Sequence, residues 1–488
     1  MAQPSITIVG AGFGGLAQAI ALRRAGFRDV TILERGDDVG GVWRANTYPG
    51  AACDVPSPLY SLSTDPNPDW PRRYAEQPDI LDYLRGVADA HGIREQIRFG
   101  VAVREAVFDE QGNRWTLTTA DGERIDTDVL ISAVGQLSQP SVPDIDGRDT
   151  FRGAVFHSAE WNHDVDLTGK RVAVIGTGAS AIQFIPAIAP KTGHLSVFQR
   201  SAAWVVSKPD SVFGERRRRL FRAVPATLGA ERLGTWMYFE GITFALRMRM
   251  MGAFTRALSR RHLRRQVADP ALRAALTPDY EPWCKRLLFS DDYYPALARD
   301  NVSLVVDRID GLEPEGVRTA DGALHPVDVV VFGTGFAATD FLAPMEVRGR
   351  AGRSLSEAWV KGAHAYLGIS TAGFPNLFMM YGPNTNLGSG SIVYMLESQA
   401  RHITGLVSWL ADNPGSAVEV DAAVEDRFNA AIQRELDRSV WSRCSSWYRN
   451  SSGTVTTNWP GNVSTYRRRT RRVDRADYRL RASKSPRT

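Results

Sequence analysis

Four residues in the stretch 151–161, Phe151, Gly153, His157 and Trp161, form the pattern F-x-G-x-x-x-H-x-x-x-W. Taken alone they carry little chemistry, because aromatics pack and a lone histidine is usually structural. Their position changes the reading. One glycine-rich loop opens the chain at Gly10, and another begins at Gly176, about fifteen residues beyond Trp161. Both loops have the residue types that draw a diphosphate onto bare backbone. A short signature set between them points to a protein that handles two nucleotide cofactors.

The elements that must hold the first loop are legible. Ile6–Val9 reads as a buried strand, Gly10, Gly12 and Gly15 as the turn, and the following residues as a helix to about Ala25. A second strand, Val30–Leu33, ends on Glu34, nineteen residues past Gly15. Gly10 permits the tight turn, Gly12 the approach of a pyrophosphate, and Gly15 the packing of helix on strand. The diphosphate then meets free N–H groups at a helix N-terminus. Glu34 stands where a carboxylate accepts from a ribose diol. Downstream, GGVWRANTYPGAACD places Gly41, Trp43 and Asp54 where the chain could run over a flat ring system.

The second loop repeats the pattern with one reversal. Arg171–Ile175 reads as a strand leading into Gly176, Gly178, Ser180 and Ala181, and the next strand, Leu195–Gln199, ends on Arg200. Arg200 lies nineteen residues past Ala181, the Gly15-to-Glu34 interval with the charge inverted. A guanidinium there suits a 2′-phosphate. So the first site is expected to take a cofactor with a free ribose diol and the second to take NADP(H).

This gives an α/β chain with two Rossmann-like dinucleotide-binding domains. The first comprises 1–145 and 337–465, and the second 146–336 with a helical, very basic insert over about 210–280. That insert could cover the active site, form a homodimer contact or touch an anionic surface. Antiparallel strands are expected over 97–118, and a helix from near Ser391 to about Leu410 whose N-terminus faces an electron-rich ring. Residues 466–488 read as a solvated tail, since Arg467–Thr488 holds ten basic and two acidic residues against a whole-chain net charge of +5. With no aromatics interleaved among these bases, nucleic acid is not an expected partner. The apolar run near Trp236–Phe254 is broken by Glu240, Arg247 and Arg249, which argues against a membrane span. Cys53, Cys284 and Cys444 make no C-x-x-C and no metal spacing, so no metal is expected and the setting reads as a reducing cytoplasm.

With these residues in view, the chain resembles the type I Baeyer–Villiger monooxygenases over nearly its whole length. The Phe151–Trp161 pattern fits that family's fingerprint, with Asn162 in place of the usual Pro or Asp. Gly41, Trp43, Tyr48, Pro49, Gly50 and Asp54 fit its G-x-W-x4-Y-P-G-x3-D motif. DVPSPLYSLS and CSSWY are similar to the 4-hydroxyacetophenone monooxygenase branch. The resemblance implies FAD in the first site and NADPH in the second. Tyr60 and Asn384 join the cofactor contacts, and Lys285 joins Arg200 on the 2′-phosphate. Arg286 would be the catalytic arginine, Asp54 the carboxylate that holds it, and His157 a residue coupling domain positions. The implied reaction is oxygen insertion beside a ketone carbonyl through a C4a-peroxyflavin, giving an ester or lactone. Oxygenation of an amine or thioether is the alternative.

Overall fold

The structure is a computed structural model that describes residues 3–247 and 251–482, so Arg249 and the end of the basic tail lie outside the described residues. Its frame is a pair of all-parallel five-stranded sheets with the same plan. The first runs Leu377–Met379, Val129–Ser132, Ile6–Val9, Val30–Glu34, Ile97–Phe99. The second runs Val302–Val305, His194–Phe198, Arg171–Ile175, Val329–Phe332, Ala154–His157. The inner strands are short, mostly apolar runs, and Ile6–Val9, Val129–Ser132 and Val329–Phe332 are buried at every position. That is the signature of strands covered on both faces, which only crossover connections provide.

In each sheet the nucleotide loop follows a central strand, flanked by the next strand on one side and the sheet's closing region on the other. The loop therefore emerges at the carboxyl edge, where open α/β sheets bind ligands. Of the strands expected over 97–118, Val103–Asp109 and Arg114–Thr119 do pair antiparallel. Ile97–Phe99 instead joins the first sheet parallel to Val30–Glu34, because its buried Ile97 completes that sheet's edge.

The insert is helical, with Glu215–Ala223, Pro225–Arg247, Met251–Gln266 and Pro270–Ala275. No helix among the described residues is long and apolar enough to cross a membrane.

The basic tail corrects the sequence reading. It folds as a helix, Val463–Thr470, and a strand, Tyr478–Arg481, antiparallel to Ala417–Val420. Its charge count concealed a buried set, Tyr466, Thr470 and Tyr478, spaced so that the arginines point outward. Tyr466 Oη donates to Leu367 O at 2.6 Å, and Arg479 pairs with Asp421 at 2.5 Å.

His402, on the Ile392–Ala411 helix, holds this tail. Its Nδ1–H donates to Thr470 O at 3.2 Å, and its Nε2 accepts from Tyr478 Oη at 3.0 Å. Burial pushes its pKa down to about 4, so the folded chain keeps the ring neutral while the unfolded chain protonates near pH ~6.5. The contribution is intact above about pH 6.5 and is lost as the pH falls toward about 4, on the order of 2–3 kcal/mol. Denaturant midpoints measured across that window should fall for the parent and fall less for His402→Gln.

Candidate active site

The two loops build matching cradles. Gly10 has φ +106° and Gly176 φ +108°, and a side chain on either would meet the carbonyl of Ala133 or Gly333 at 2.6 or 2.5 Å. Glycine is required at both by the chain itself. Gly12 and Gly178 are different. A side chain there would find no atom of the chain closer than 3.5 and 3.9 Å respectively, so internal packing does not demand glycine. Close approach of a diphosphate does. Gly15 is pressed against Gly10 O, and Ala181 takes the corresponding place in the second loop, where Gly333 leaves room for its methyl group.

Beyond the cradles the sites diverge in charge. Glu34 is buried, and its carboxylate accepts from Ala11 N at 2.7 Å and Gly36 N at 2.8 Å, which fixes the first loop. Strand register sets Leu33 and Phe198 in equivalent places, each accepting from the N–H of the loop's first glycine, Gly10 or Gly176. Gln199 rather than Arg200 is thus the counterpart of Glu34, and Arg200 lies one residue beyond. The equal sequence intervals therefore do not mark equivalent places, because the second crossover is one residue shorter: Gly176 to Phe198 spans 22 residues and Gly10 to Leu33 spans 23. Arg200 is exposed, and Lys285 reaches into the same place, with Nζ 3.1 Å from Ser201 Oγ. Burial and the nearby Arg200 both lower the Lys285 pKa. Neither cation pairs with a carboxylate among the described residues. Two cations in mutual conflict form a site that an anionic group would relieve.

Between the cradles, Arg286 meets Asp54. Nε and Nη2 donate to the same oxygen, Oδ2, at 2.9 and 2.6 Å, and the two side chains keep 30% and 26% of their surface exposed. Half the guanidinium edge is therefore held while the remainder faces open space. Asp54 raises the Arg286 pKa further above its ordinary value, so the positive charge is permanent. Buried tyrosines surround the pair. Tyr448 is pushed up to about 12 by burial, with Arg286 pulling the other way. Tyr381 is raised by burial and likewise opposed by Arg286, and its Oη donates to Asn386 Oδ1 at 2.7 Å.

His157 ends the edge strand Ala154–His157 and is buried. Ala159 N donates to its Nδ1 at 3.1 Å, so the proton sits on Nε2, which is enclosed beside the Gly335 backbone. Burial lowers its pKa and keeps the ring neutral. The ring packs edge-on against Phe336, 5.9 Å between centroids. Phe336 belongs to one of the two segments that join the sheets. These segments are zipped together by Ser141 N to Gly335 O at 2.9 Å and Ala337 N to Gln139 O at 3.0 Å. His157 thus touches the connection itself, while Trp161 packs on Phe156 and Phe184 in the second core.

Comparison with known proteins decides the family. The profile of the pyridine nucleotide-disulphide oxidoreductases matches residues 7–220, the span holding both glycine loops. A Baeyer–Villiger monooxygenase of Streptomyces coelicolor is 44% identical, over 97% of this chain and 92% of its own length. The chain belongs to the type I Baeyer–Villiger monooxygenases. An oxidised steroid monooxygenase bound to NADP superposes with TM-score 0.86 at 32% identity, covering 98% of this chain and 99% of that one. OTEMO in complex with FAD and NADP gives TM-score 0.86 at 28% identity, with coverage of 98% and 100%.

Within this Baeyer–Villiger fold the other expected residues fall in three groups. Gly41 lies beside Gly12, and two residues on, Trp43 Nε1 donates to Tyr60 Oη at 3.1 Å, so Tyr60 braces the tryptophan. Ser180 directly precedes the Ala181–Ile188 helix in the second cradle. Asn384 donates its amide to Val455 O and Asn458 O at 2.9 and 3.1 Å and so ties two loops together, while its Oδ1 is buried with no hydrogen-bond partner among the described residues. Four residues escaped the sequence reading: Gln183, Tyr381, Asn386 and Asn458. The last two are joined at 2.7 Å, and Asn458 Nδ2 is buried without a partner.

The cysteines also need correction. Cys284 and Cys444 form a disulfide, with Cα atoms 6.1 Å apart, directly before Lys285 and Arg286. Proximity in the fold, invisible in their spacing, brings them together, so cysteine usage no longer supports a reducing setting.

Gln183 closes the site across the two sheets. Its Oε1 accepts from Tyr48 Oη at 2.9 Å and Ala52 N at 3.4 Å, and its Nε2 donates to Ala52 O at 2.9 Å. Gln183→Leu should cost about 1–3 kcal/mol in chemical denaturation, because these loop groups lose their partner.

Proposed function

We propose that this chain uses NADPH and O2 to insert one oxygen atom beside a ketone carbonyl, with FAD over Gly10–Gly15 and Glu34 and NADPH over Gly176–Ala181. The observation that carries the reading is the Arg286–Asp54 pair standing between two glycine cradles in a member of this family. The division into 1–145 with 337–465, and 146–336 with its insert, is proposed on the same basis, one sheet serving each nucleotide. Similarity to the 4-hydroxyacetophenone branch rests on DVPSPLYSLS and CSSWY. A cytoplasmic setting is proposed from the need for NADPH.

Bound FAD, reduced by NADPH and reacting with O2, supplies the oxygen-inserting chemistry; the protein positions and tunes it. Arg286 supplies fixed positive charge. A guanidinium beside an oxygen favours its anionic, nucleophilic form. The same charge favours the negative oxygen that develops as a carbonyl becomes tetrahedral. Asp54 aims the guanidinium and partly offsets its charge. Lys285 and Arg200 take the 2′-phosphate, whose charge removes their mutual repulsion. His157, buried against the zipped connection, senses how the two halves sit. Gly41 and Trp43 cover the first cradle, braced by Tyr60.

Purified enzyme with FAD, NADPH and labelled oxygen gas should place one label in an ester or lactone when offered a panel of cyclic, aliphatic and aryl ketones. Label found only in sulfoxide or N-oxide, from thioether and amine controls, would move the chain to heteroatom oxygenation. Arg286→Ala should lower ester formation by about 100-fold or more while NADPH still binds. For Arg200→Ala and Lys285→Ala, KM for NADPH should rise at least about tenfold with NADH little changed, since only NADPH carries the 2′-phosphate. Equal losses for both cofactors would refute that assignment.

A further inference from the structure

The Pro225–Arg247 helix is built inside out. Its outward stripe, Leu233, Met237, Tyr238 and Phe244, is 54%, 54%, 63% and 60% exposed, and the remaining exposed positions from Ala226 to Phe244 are glycine or alanine. Its charged residues in that span are half-buried and engaged by the rest of the fold. Glu231 pairs with Arg217 at 2.6 Å, and Arg232 donates to Pro58 O at 2.9 Å. Glu240 accepts from Val463 N at 2.9 Å and Ser464 Oγ at 2.6 Å. A surface helix ordinarily shows the opposite arrangement.

The next helix continues the surface. Phe254, 63% exposed, and Leu258, 44% exposed, share one line with Arg261 and Arg265 by helical periodicity. Arg260 and Arg264 are exposed alongside, and Arg216 is exposed on the Glu215–Ala223 helix, two helices earlier. These five arginines have no carboxylate partner among the described residues. The six large apolar side chains present roughly 600 Å² of uncovered surface, at the top of the range for a monomer.

We infer that this face docks the enzyme peripherally on an anionic phospholipid bilayer, with the apolar stripe entering the headgroup boundary and the arginines on the phosphates. This combination is the one that lets a helix lie in a membrane interface without spanning it. Charge decides against a second copy of the chain. A symmetric contact would bring the unpaired guanidinium groups of two protomers to the rim of one patch, and the neighbouring acids, Glu215 and Glu281, are already paired with Arg218, Arg219, Arg222 and Arg256. Lipid phosphates supply the missing charge.

The inward side of the same helices bears on the chemistry. Ile242, Leu246 and Met251 pack against Trp204, Trp283 and Leu287, the apolar cluster enclosing the Lys285–Arg286 turn. Trp236, Phe239 and Thr243 line a small cavity with Ser389 and Ser391, at the start of the Ile392–Ala411 helix.

The test is co-sedimentation of FAD-loaded enzyme with phosphatidylcholine vesicles, with and without phosphatidylglycerol. The parent should bind the anionic vesicles and release in high salt. The triple variant Met237→Ser, Phe244→Ser, Phe254→Ser should bind them at least about tenfold more weakly, since three insertable side chains are lost. Arg261→Glu with Arg265→Glu should lose the preference for phosphatidylglycerol. NADPH oxidation with a water-soluble ketone should stay at the parent rate in both variants. No binding by the parent, or equal binding by the triple variant, would overturn the inference. So would a parent dimer in light scattering that the triple variant converts to monomer without any vesicle binding.

Discussion

One ion pair joins what the sequence keeps apart. Asp54 and Arg286 are 232 residues distant in the chain, one on a loop of the first sheet and the other on a turn beneath the second. Neither side chain could hold its place alone. A guanidinium lacking its carboxylate would have no fixed direction, and a carboxylate lacking the guanidinium would fold back toward solvent. The pair exists only because both sheets are assembled and correctly apposed, so the structure spends much of its detail on that apposition. Gln183 clasps the 48–52 loop, and the two crossing segments are zipped by backbone hydrogen bonds. The Cys284–Cys444 bond ties the arginine turn to the C-terminal segment. Electrostatics at the reacting centre is here a property of quaternary-like packing inside one chain.

What could be read from sequence follows the range of each interaction. The strands, glycine turns and first helices were legible because their causes lie within a few residues: apolar runs for buried strands, and a missing side chain where backbone must come close. The link between Asp54 and Arg286 had no such local cause, and family resemblance pointed to it before the geometry did. Arg200 shows the limit of counting. Its interval matched that of Glu34, yet strand register puts Gln199 in the equivalent place, since the second crossover is one residue shorter than the first. Gln183, Asn386 and Asn458 are polar residues without a motif, and only their buried hydrogen bonds distinguish them. Composition misled at the tail, where summed charge hid the buried Tyr466, Thr470 and Tyr478.

The insert illustrates a different ambiguity. Its arginine content was visible, and the sequence allowed three uses for it. What the sequence could not show is the direction in which each helix faces. Glu240 interrupts an apolar run and so looks like the marker of a solvent side. In the fold it caps the Val463–Thr470 helix by accepting from Val463 N and Ser464 Oγ. Once that charge is engaged by the tail helix, the exposed positions beside it are apolar. The polarity of the helix is set by a partner more than 200 residues away.

The zipped crossing has a mechanical corollary. Two chain segments side by side, bonded at Ser141–Gly335 and Gln139–Ala337, behave as a door hinge: they allow swinging about their common line and resist sliding and twist. His157 rests on the pin of that hinge through Phe336. The disulfide between Cys284 and Cys444 acts as a latch chain, limiting how far the door can open at the arginine turn. A cleft governed this way has a single coordinate of motion, and one angle suffices to describe how far the two nucleotide cradles stand apart.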